Sequence, residues 1–468
     1  MAILLMKMNS ISTIINTQLL KFSRQAALAV LLLLSGYPAL CQKEISLEQC
    51  IQIALEQNIG IKRQALQVDL AEGALKSTWA GRLPGIDGFY SHYINSGKTV
   101  NYENYSYINT NYQDGNLGIE GSLPLYSGFS NWYQIRSDKF NLKSEAEKKE
   151  ELKKTVTMEV TAAYLQILFA EELLGIAESK LAASQEQLRM NEGFYKVGRI
   201  SRVEVVDMKS QVAQDNLAKI QAENELRTAY LNLAMILNMD NEKDLKIKKP
   251  TQMQESLSLV LNDPEQINDY AQANHPGVHS AELFVNSRVA QLDATKALYS
   301  PKISLNGLIY SRYSELGVDA LNPTAIYPYP DQIRDNMYKR ASVNVSLPIF
   351  SQLQLRNKIN QAKIQATDAR LMLDQKKITI RQDIQKAYAA ACNAKAKYEA
   401  SQDAVASATE SFTMTREKYK AGIASSIDFK VAQNQLLQSQ SVQIQSKYEY
   451  LIRIKILDLY LDKPITLE

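Results

Sequence analysis

The sequence predicts a mainly α-helical chain with a smaller β part, the whole pattern written twice. Three observations predict it. The chain repeats itself at a fixed offset, it contains two proline-free stretches long enough for rods, and it carries four short segments in which apolar and polar residues alternate.

The duplication is read by sliding the sequence against itself. "SLPLYS" at Ser122 to Ser127 returns as "SLPIFS" at Ser346 to Ser351, and Tyr164 returns as Tyr388, both at a shift of 224. Upstream, "ALEQNIGI" from Ala54 pairs with "AQANHPGV" from Ala271, and Leu83-Pro84 pairs with Ser300-Pro301, at a shift of 217. Seven extra residues therefore lie in a connection of the second half. The expected division is a leader at 1–41, a first repeat at 42–239, a linker at 240–262 and a second repeat at 263–468.

The leader carries Lys7, Lys21 and Arg24, then the apolar run "AALAVLLLLSGYPAL", then small residues ending in Cys41-Gln42. The run is short for a bilayer span and sits at the extreme N-terminus, so it reads as a secretory signal peptide cleaved before Gln42. A lipid-modified Cys41 is the alternative, although Leu40 is bulky where such a signal takes a small residue. No later stretch approaches about 18 consecutive apolar residues, so no transmembrane helix is expected after it.

Each half reads as helix, hairpin, long helix, break, helix. Ser46 with Gln49 makes a capping box; Asp263, Pro264 and Gln266 give a cap, a first-turn proline and a capping partner. The segments 46–80, 202–238, 264–298 and 425–461 read as shorter helices. The proline-free stretches 129–196 and 352–420 predict rods of roughly 100 Å at 1.5 Å per residue. Small and apolar residues at heptad-like spacing among Gln, Asn, Lys and Glu predict coiled-coil packing with a polar face.

The alternating segments run through Leu117, Ile119, Gly121, Leu123 and Leu125, and through Ala341, Val343, Val345, Leu347 and Ile349. Partners are expected at 85–94 and 302–313, giving hairpins at about 85–126 and 302–350. About nine residues is the length a tilted strand needs to cross hydrocarbon. Phe89, Tyr90, Tyr93, Tyr126, Phe129, Trp132, Tyr310, Tyr313 and Phe350 cluster near the ends, as in an interfacial aromatic girdle. The connections "NSGKTVNYENYSYINTNYQDG" and 314–339 read as long irregular loops, the second holding the extra seven residues.

Four strands leave two unpaired edges, which hydrocarbon does not tolerate. One copy cannot be a barrel; three copies would supply twelve strands, enough for a water-filled lumen. A soluble four-stranded sheet is the plainer alternative, disfavoured by the export signal and the aromatic ends.

The two breaks share one grammar, "YKVGRISRVE" from Tyr195 and "YKAGIASSID" from Tyr419. Gly198 and Gly422 suit left-handed helix ends, Ser201 and Ser425 suit N-caps, and Glu204 and Asp428 complete capping boxes. Each is a tight helical reversal, expected at 195–204 and 419–428. Both lie about 70 residues beyond the strands, so they form a tip far from the membrane, across which Tyr195 and Tyr419 are expected to pack.

Taken together, the duplicated tips, the two "SLP" strand exits and the "SLEQCIQIAL" opening helix make the mature chain resemble the TolC family of outer-membrane efflux proteins. The resemblance implies a homotrimer in which a twelve-stranded transmembrane β-barrel, four strands per protomer, continues into a coiled-coil α-barrel crossing the periplasm. It implies contact with outer-membrane lipid, a periplasmic adaptor and an inner-membrane pump of RND or ABC type. The family's adaptor-contacting tip maps onto Gly198, Arg199, Ile200 and Ser201; the second tip keeps Gly422 and Ser425 but has Ile423 and Ala424 in place of the basic pattern. Family acidic residues that constrict the closed tunnel map onto Asp428, with Glu204 and Asp207 at similar places in the first repeat, while Val431 departs from a second such position. For Glu204 and Asp428, capping alone is the plainer role. The implied function is passive conduction of substrates delivered by the pump; the exit duct of a type I protein secretion system and a non-channel coiled-coil surface protein are the alternatives.

Composition argues against catalysis. Charge nearly cancels to +3, giving no reason to expect nucleic acid, and three histidines and three cysteines leave little for metal or acid-base chemistry. Cys50 and Cys392 lack C-x-x-C spacing and read as small core residues. His275 and His279 are four apart, but Pro276 disfavours a helical conformation at His275, so a metal pair is not expected. No nucleophile elbow, phosphate loop or H-E-x-x-H occurs, and neither an enzyme nor a cofactor is expected.

Overall fold

The computed structural model describes residues 44–100, 105–239, 245–250, 263–319 and 322–465. The leader 1–41, with Cys41, and most of the segment 240–262 lie outside them.

The duplication is visible in the helices. The long helices α3 (Ser130–Lys196) and α8 (Gln354–Lys420) each have 67 residues, and their return helices α4 (Arg202–Ile236) and α9 (Ser426–Tyr460) each have 35. The opening helices come in pairs: α1 (Leu47–Gln57) with α2 (Ile59–Ala80), and α5 (Pro264–Asn274) with α6 (Pro276–Lys296). This corrects the single helices expected at 46–80 and 264–298. Asn58 ends α1 and caps α2, its side chain accepting from Ile61 N–H; at the same repeat position His275 ends α5 and caps α6, Nδ1 accepting from Gly277 N–H at 3.1 Å. Pro276 holds His275 extended, at φ −72° and ψ 124°. The Ser46–Gln49 capping box is present, whereas Asp263 accepts from Glu265 N–H rather than from Gln266.

The sheet consists of β2 (Gly85–Val100), β3 (Tyr107–Tyr126), β5 (Lys302–Ser314) and β8 (Tyr338–Ser346), antiparallel in that order. Short strands β1 (Glu44–Ile45) and β4 (Lys246–Ile247) pair in parallel. The expected first loop is instead mostly hairpin, since the β2–β3 ladder continues through Asn95↔Tyr112 to Val100↔Tyr107. The second connection holds β6 (Val318–Asp319), β7 (Asn322–Ile326) and α7 (Tyr329–Asp335). Strand β8 is displaced toward the loop, ending at Ser346, so Leu347 and Ile349 lie beyond it.

Alternation along the ladders separates two faces. Ile86, Ile94, Ile119, Ile309, Val343 and Val345 share one exposed, mainly apolar face, which carries His92, Gln113 and Lys339 toward its loop end; Asp87, Glu120, Asn306, Arg340 and Ser342 share the other. Phe89, Tyr93 and Tyr310 lie on the polar face, not in a lipid-facing girdle. Phe89 and Tyr310 flank Gly118, where an added Cβ would stand 2.8 Å from the Phe89 ring and 2.6 Å from Tyr310 Cβ; the missing side chain makes room for both rings.

Lateral order is the same at every level. Above, α2 packs on α3, α3 on α6 and α6 on α8; toward the tips, α4 packs on α3, α3 on α9 and α9 on α8. Serine pairs close the α3–α6 contact: Ser137 Oγ and Ser287 Oγ lie 3.1 Å apart, as do those of Ser144 and Ser280. Such small side chains let the helix backbones approach closely. The main core forms where α1, α3, α4, β4 and α9 meet, around Cys50, Val160, Tyr164, Leu233 and Leu451. Tyr164 Oη donates to Lys248 O at 2.5 Å, and burial pushes the Cys50 thiol up to about 12. A second core of Ile267, Ala271, Val278, Ile384 and Ala391 occupies the related place in the other repeat; Cys392 is only half-buried. Among the described residues α3 is long and apolar enough, by length and mean hydropathy, to pass for a membrane span, although the stretch is not continuously apolar. The buried residues from Val156 to Ala170 instead supply the main core.

Candidate functional site

The two reversals are built by the same local chemistry. At the end of α3, Gly198 takes φ +73°, its N–H donates to Tyr195 O at 3.0 Å, and Arg199 N–H donates to Phe194 O at 2.9 Å. At the end of α8, Gly422 takes φ +75°, with the related bonds from Gly422 to Tyr419 at 3.0 Å and from Ile423 to Lys418 at 2.9 Å. Both are Schellman ends, which satisfy the last carbonyls of a helix and need a residue tolerant of left-handed backbone.

The return helices are capped reciprocally. Ser201 Oγ accepts from Glu204 N–H at 3.4 Å while Ser201 N–H donates to Glu204 Oε1 at 3.2 Å. Ser425 Oγ accepts from Asp428 N–H at 3.1 Å and Ser425 N–H donates to Asp428 Oδ2 at 3.1 Å. The serine's side-chain and backbone hydrogen bonds hold the Asp428 carboxyl below its ordinary 3.8. Glu204 and Asp428 are thus each tied to their own serine, and Asp207 is exposed on the next turn.

The tips differ in their aromatic contacts. Arg199 lies over the Phe194 ring at 5.2 Å, while Ile200 is half-buried. Tyr195 is 46% exposed at the first reversal. Tyr419 crosses to α3. Its hydroxyl donates to Asn191 Oδ1 on α3 at 3.1 Å, and its ring lies 5.2 Å from Phe429, which lies 5.5 Å from Phe412. Asn191 is fully buried, also accepts from Gln187 at 3.1 Å, and its Nδ2 has no partner.

Further up, Lys180 of α3 pairs with Asp215 of α4 at 3.1 Å, the two side chains 12% and 2% exposed, and Lys180 also reaches Asn434 of α9 at 3.4 Å. Lys447 and Tyr448 of α9 both donate to Glu172 Oε1 of α3, at 2.9 and 2.7 Å. Sequence reading missed Asn191, Lys180 and Asp215, whose partners are distant in the chain. The one available signal was a polar side chain at a coiled-coil position.

Apolar residues are exposed around both turns: Val197 and Val203 at the first, Ile423 (77% exposed), Ile427 and Val431 at the second. The two hairpins thus present apolar ends, and a tyrosine–asparagine hydrogen bond joins them near the turn.

The outer membrane efflux protein family model matches residues 50–239 and 268–461. Outer membrane efflux protein BepC of Brucella suis is 23% identical over 394 residues, covering 84% of this chain and 78% of that protein. The solvent efflux pump outer membrane protein SrpC of Pseudomonas putida is 22% identical over 400 residues, covering 85% of this chain and 81% of that protein. In fold, the chain is similar to the CmeC outer membrane channel of Campylobacter jejuni, with a TM-score of 0.73 at 18% identity over 88% of this chain and 85% of that one. The chain belongs to the outer membrane efflux protein family, and its place is the bacterial outer membrane.

Proposed function

We propose that three copies of this chain close into one duct, a twelve-stranded barrel in the outer membrane continued by a helical tunnel through the periplasm. Substrates would pass through it passively from a periplasmic adaptor and an inner-membrane pump. The observation that carries this reading is the common lateral order. Strand β2 and helices α2 and α4 stand at one side, β8 and α8 at the other. Both helical margins expose apolar residues: Leu66 and Leu70 on α2, Leu217 on α4, Ile364, Leu371 and Ile378 on α8. A unit with complementary sides at every level is what a closed ring requires.

The tips are the proposed adaptor contacts and gate. Exposed Val197, Val203, Ile423 and Ile427 offer an apolar surface at the ends of the rods, with Gly198, Arg199, Ile200, Ser201, Gly422 and Ser425 shaping the turns. Asp428, Glu204 and Asp207 would set the charge at the constriction. The description of SrpC as the outer membrane protein of a solvent efflux pump supports a pump partner here. Single-channel recording of the purified protein in a planar bilayer tests the reading. Discrete conductance steps, larger in Asp428→Ala, are expected; silence in both proteins would contradict the duct.

A further inference from the structure

Strand β5 outlasts its neighbour. The β8 ladder stops at Tyr310↔Tyr338, yet β5 runs to Ser314, which leaves one edge of its last turn of backbone bare. Side chains of α7 and its surroundings fill that edge. Gln332 Oε1 accepts from Ser314 N–H at 2.9 Å, and Gln332 Nε2 donates to Ser314 O at 3.1 Å and to Tyr327 O at 2.7 Å. Asn336 Nδ2 donates to Arg312 O at 2.9 Å, and Ser311 Oγ donates to Ile333 O at 2.7 Å. Gln332 and Ser311 are both buried. Helix α7 is therefore fixed over the apolar face, the face to which Ser311 belongs by alternation.

Between α7 and the sheet lies a groove of about 520 Å³, roofed by Ile333 and Met337 and floored by Leu117, Ile119 and Ile309, with Gly88 beside them. Gly88 is what makes room: an added Cβ would find its nearest atom 3.9 Å away. Beyond it on the same face, Gly121 and Gly307 are directly paired and leave the surface low, with no atom within 4 Å of an added Cβ at Gly307. Tyr313 and Tyr329 meet edge to face at 4.7 Å beside the helix, a placement suited to headgroup level.

We propose that this groove seats an acyl chain of a membrane phospholipid, clasped by α7. The inference rests on the proposed placement of this sheet in the outer membrane, which adducts at Val343 before exchange test separately. On the side away from the loop the groove opens onto a face where Ile86, Val343 and Val345 are exposed and apolar, so hydrocarbon meets it there, while Lys339, paired with Ile309, and the exposed Arg334 and Asp335 of α7 mark its polar border. In hydrocarbon an empty slot forfeits dispersion contacts on every wall, and no water is present to fill it. The helix cannot collapse inward, because its polar bonds hold it to the β5 backbone. A chain that fills the slot is held by more contacts than one lying on open sheet.

The full-length protein in vesicles of phosphatidylethanolamine and phosphatidylglycerol tests this. A benzophenone amino acid replaces Met337 in one sample and Val343, on open sheet, in another; lipid adducts are read by mass spectrometry before and after exhaustive detergent exchange. Lipid adducts are expected at both sites before exchange and at Met337 alone after it. Gly88→Leu, which fills the groove from below, should cut the surviving Met337 adduct roughly tenfold, about the worth of two methylenes of contact. Ile333→Ala, which thins the roof without touching the sheet, should lower it as well. Equal loss at both sites, a Met337 cross-link to a neighbouring copy, or adduct unchanged in both variants would overturn the proposal.

Discussion

At the two reversals, backbone handedness decides which residue can stand there. Gly198 and Gly422 have positive φ and no atom within 4 Å of an added Cβ, so alanine at either meets only the conformational cost of about 1–2 kcal/mol. Gly128 has φ +64°, and its added Cβ would lie 2.3 Å from Ser300 Cβ. Thermal unfolding should therefore rank Gly128→Ala as clearly more damaging than Gly198→Ala or Gly422→Ala; equal losses would contradict the geometry. Tyr419 acts differently, since it ties the two hairpins together. Tyr419→Phe keeps the ring against Phe429 but removes one of two donors to buried Asn191 Oδ1, Gln187 remaining, a change worth about 0.5–1.5 kcal/mol. Longer or more frequent openings are expected in single-channel records, and unchanged dwell times would remove Tyr419 from the gate. The capping residues were legible because each bond spans three positions of sequence. Asn191 was not, because its partner lies 228 residues away and only the fold brings them together.

At the scale of elements, the opening helices depend on their breaks. Burial pushes the His275 imidazole below its ordinary 6.5, and its Nδ1 must be unprotonated to accept from Gly277 N–H. A depressed folded value means this contribution is fully present above pH 6.5 and is lost as pH falls through the lower folded value. Hydrogen-exchange protection of the first turn of α6, taken relative to the intrinsic rate at each pH, should fall as pH drops below 6.5 toward the lowered folded value, and His275→Asn, which retains a capping oxygen, should abolish that dependence. Insensitivity of the wild-type turn to pH would contradict it. Pro276 carried a signal for this break in the second repeat, yet single helices were expected across both sites, and at Asn58 no proline marks it. The long rods were legible from the absence of proline. The extended β2–β3 hairpin was hidden because its upper part is built from Asn, Thr, Tyr and Ser, which blur a period of two. Helix α7 was hidden because its anchors are side-chain amides bound to a distant strand.

At the scale of the molecule, the decisive feature is incompleteness. Sheet order β2-β3-β5-β8 leaves two edges, and the helices above and below repeat that order with apolar margins. The proposal of partner copies starts from the strand number, since hydrocarbon leaves no water for unpaired backbone groups. What the strand number left open was whether the helices break off at the same sides, and they do. A ring of identical units then satisfies every level at once. The most direct measurement is the mass of the detergent-solubilised, folded particle, corrected for bound detergent by light scattering. Three chains per particle, dissociating only on unfolding, is the result this account predicts; a stably folded single chain with both sheet edges exposed would contradict it.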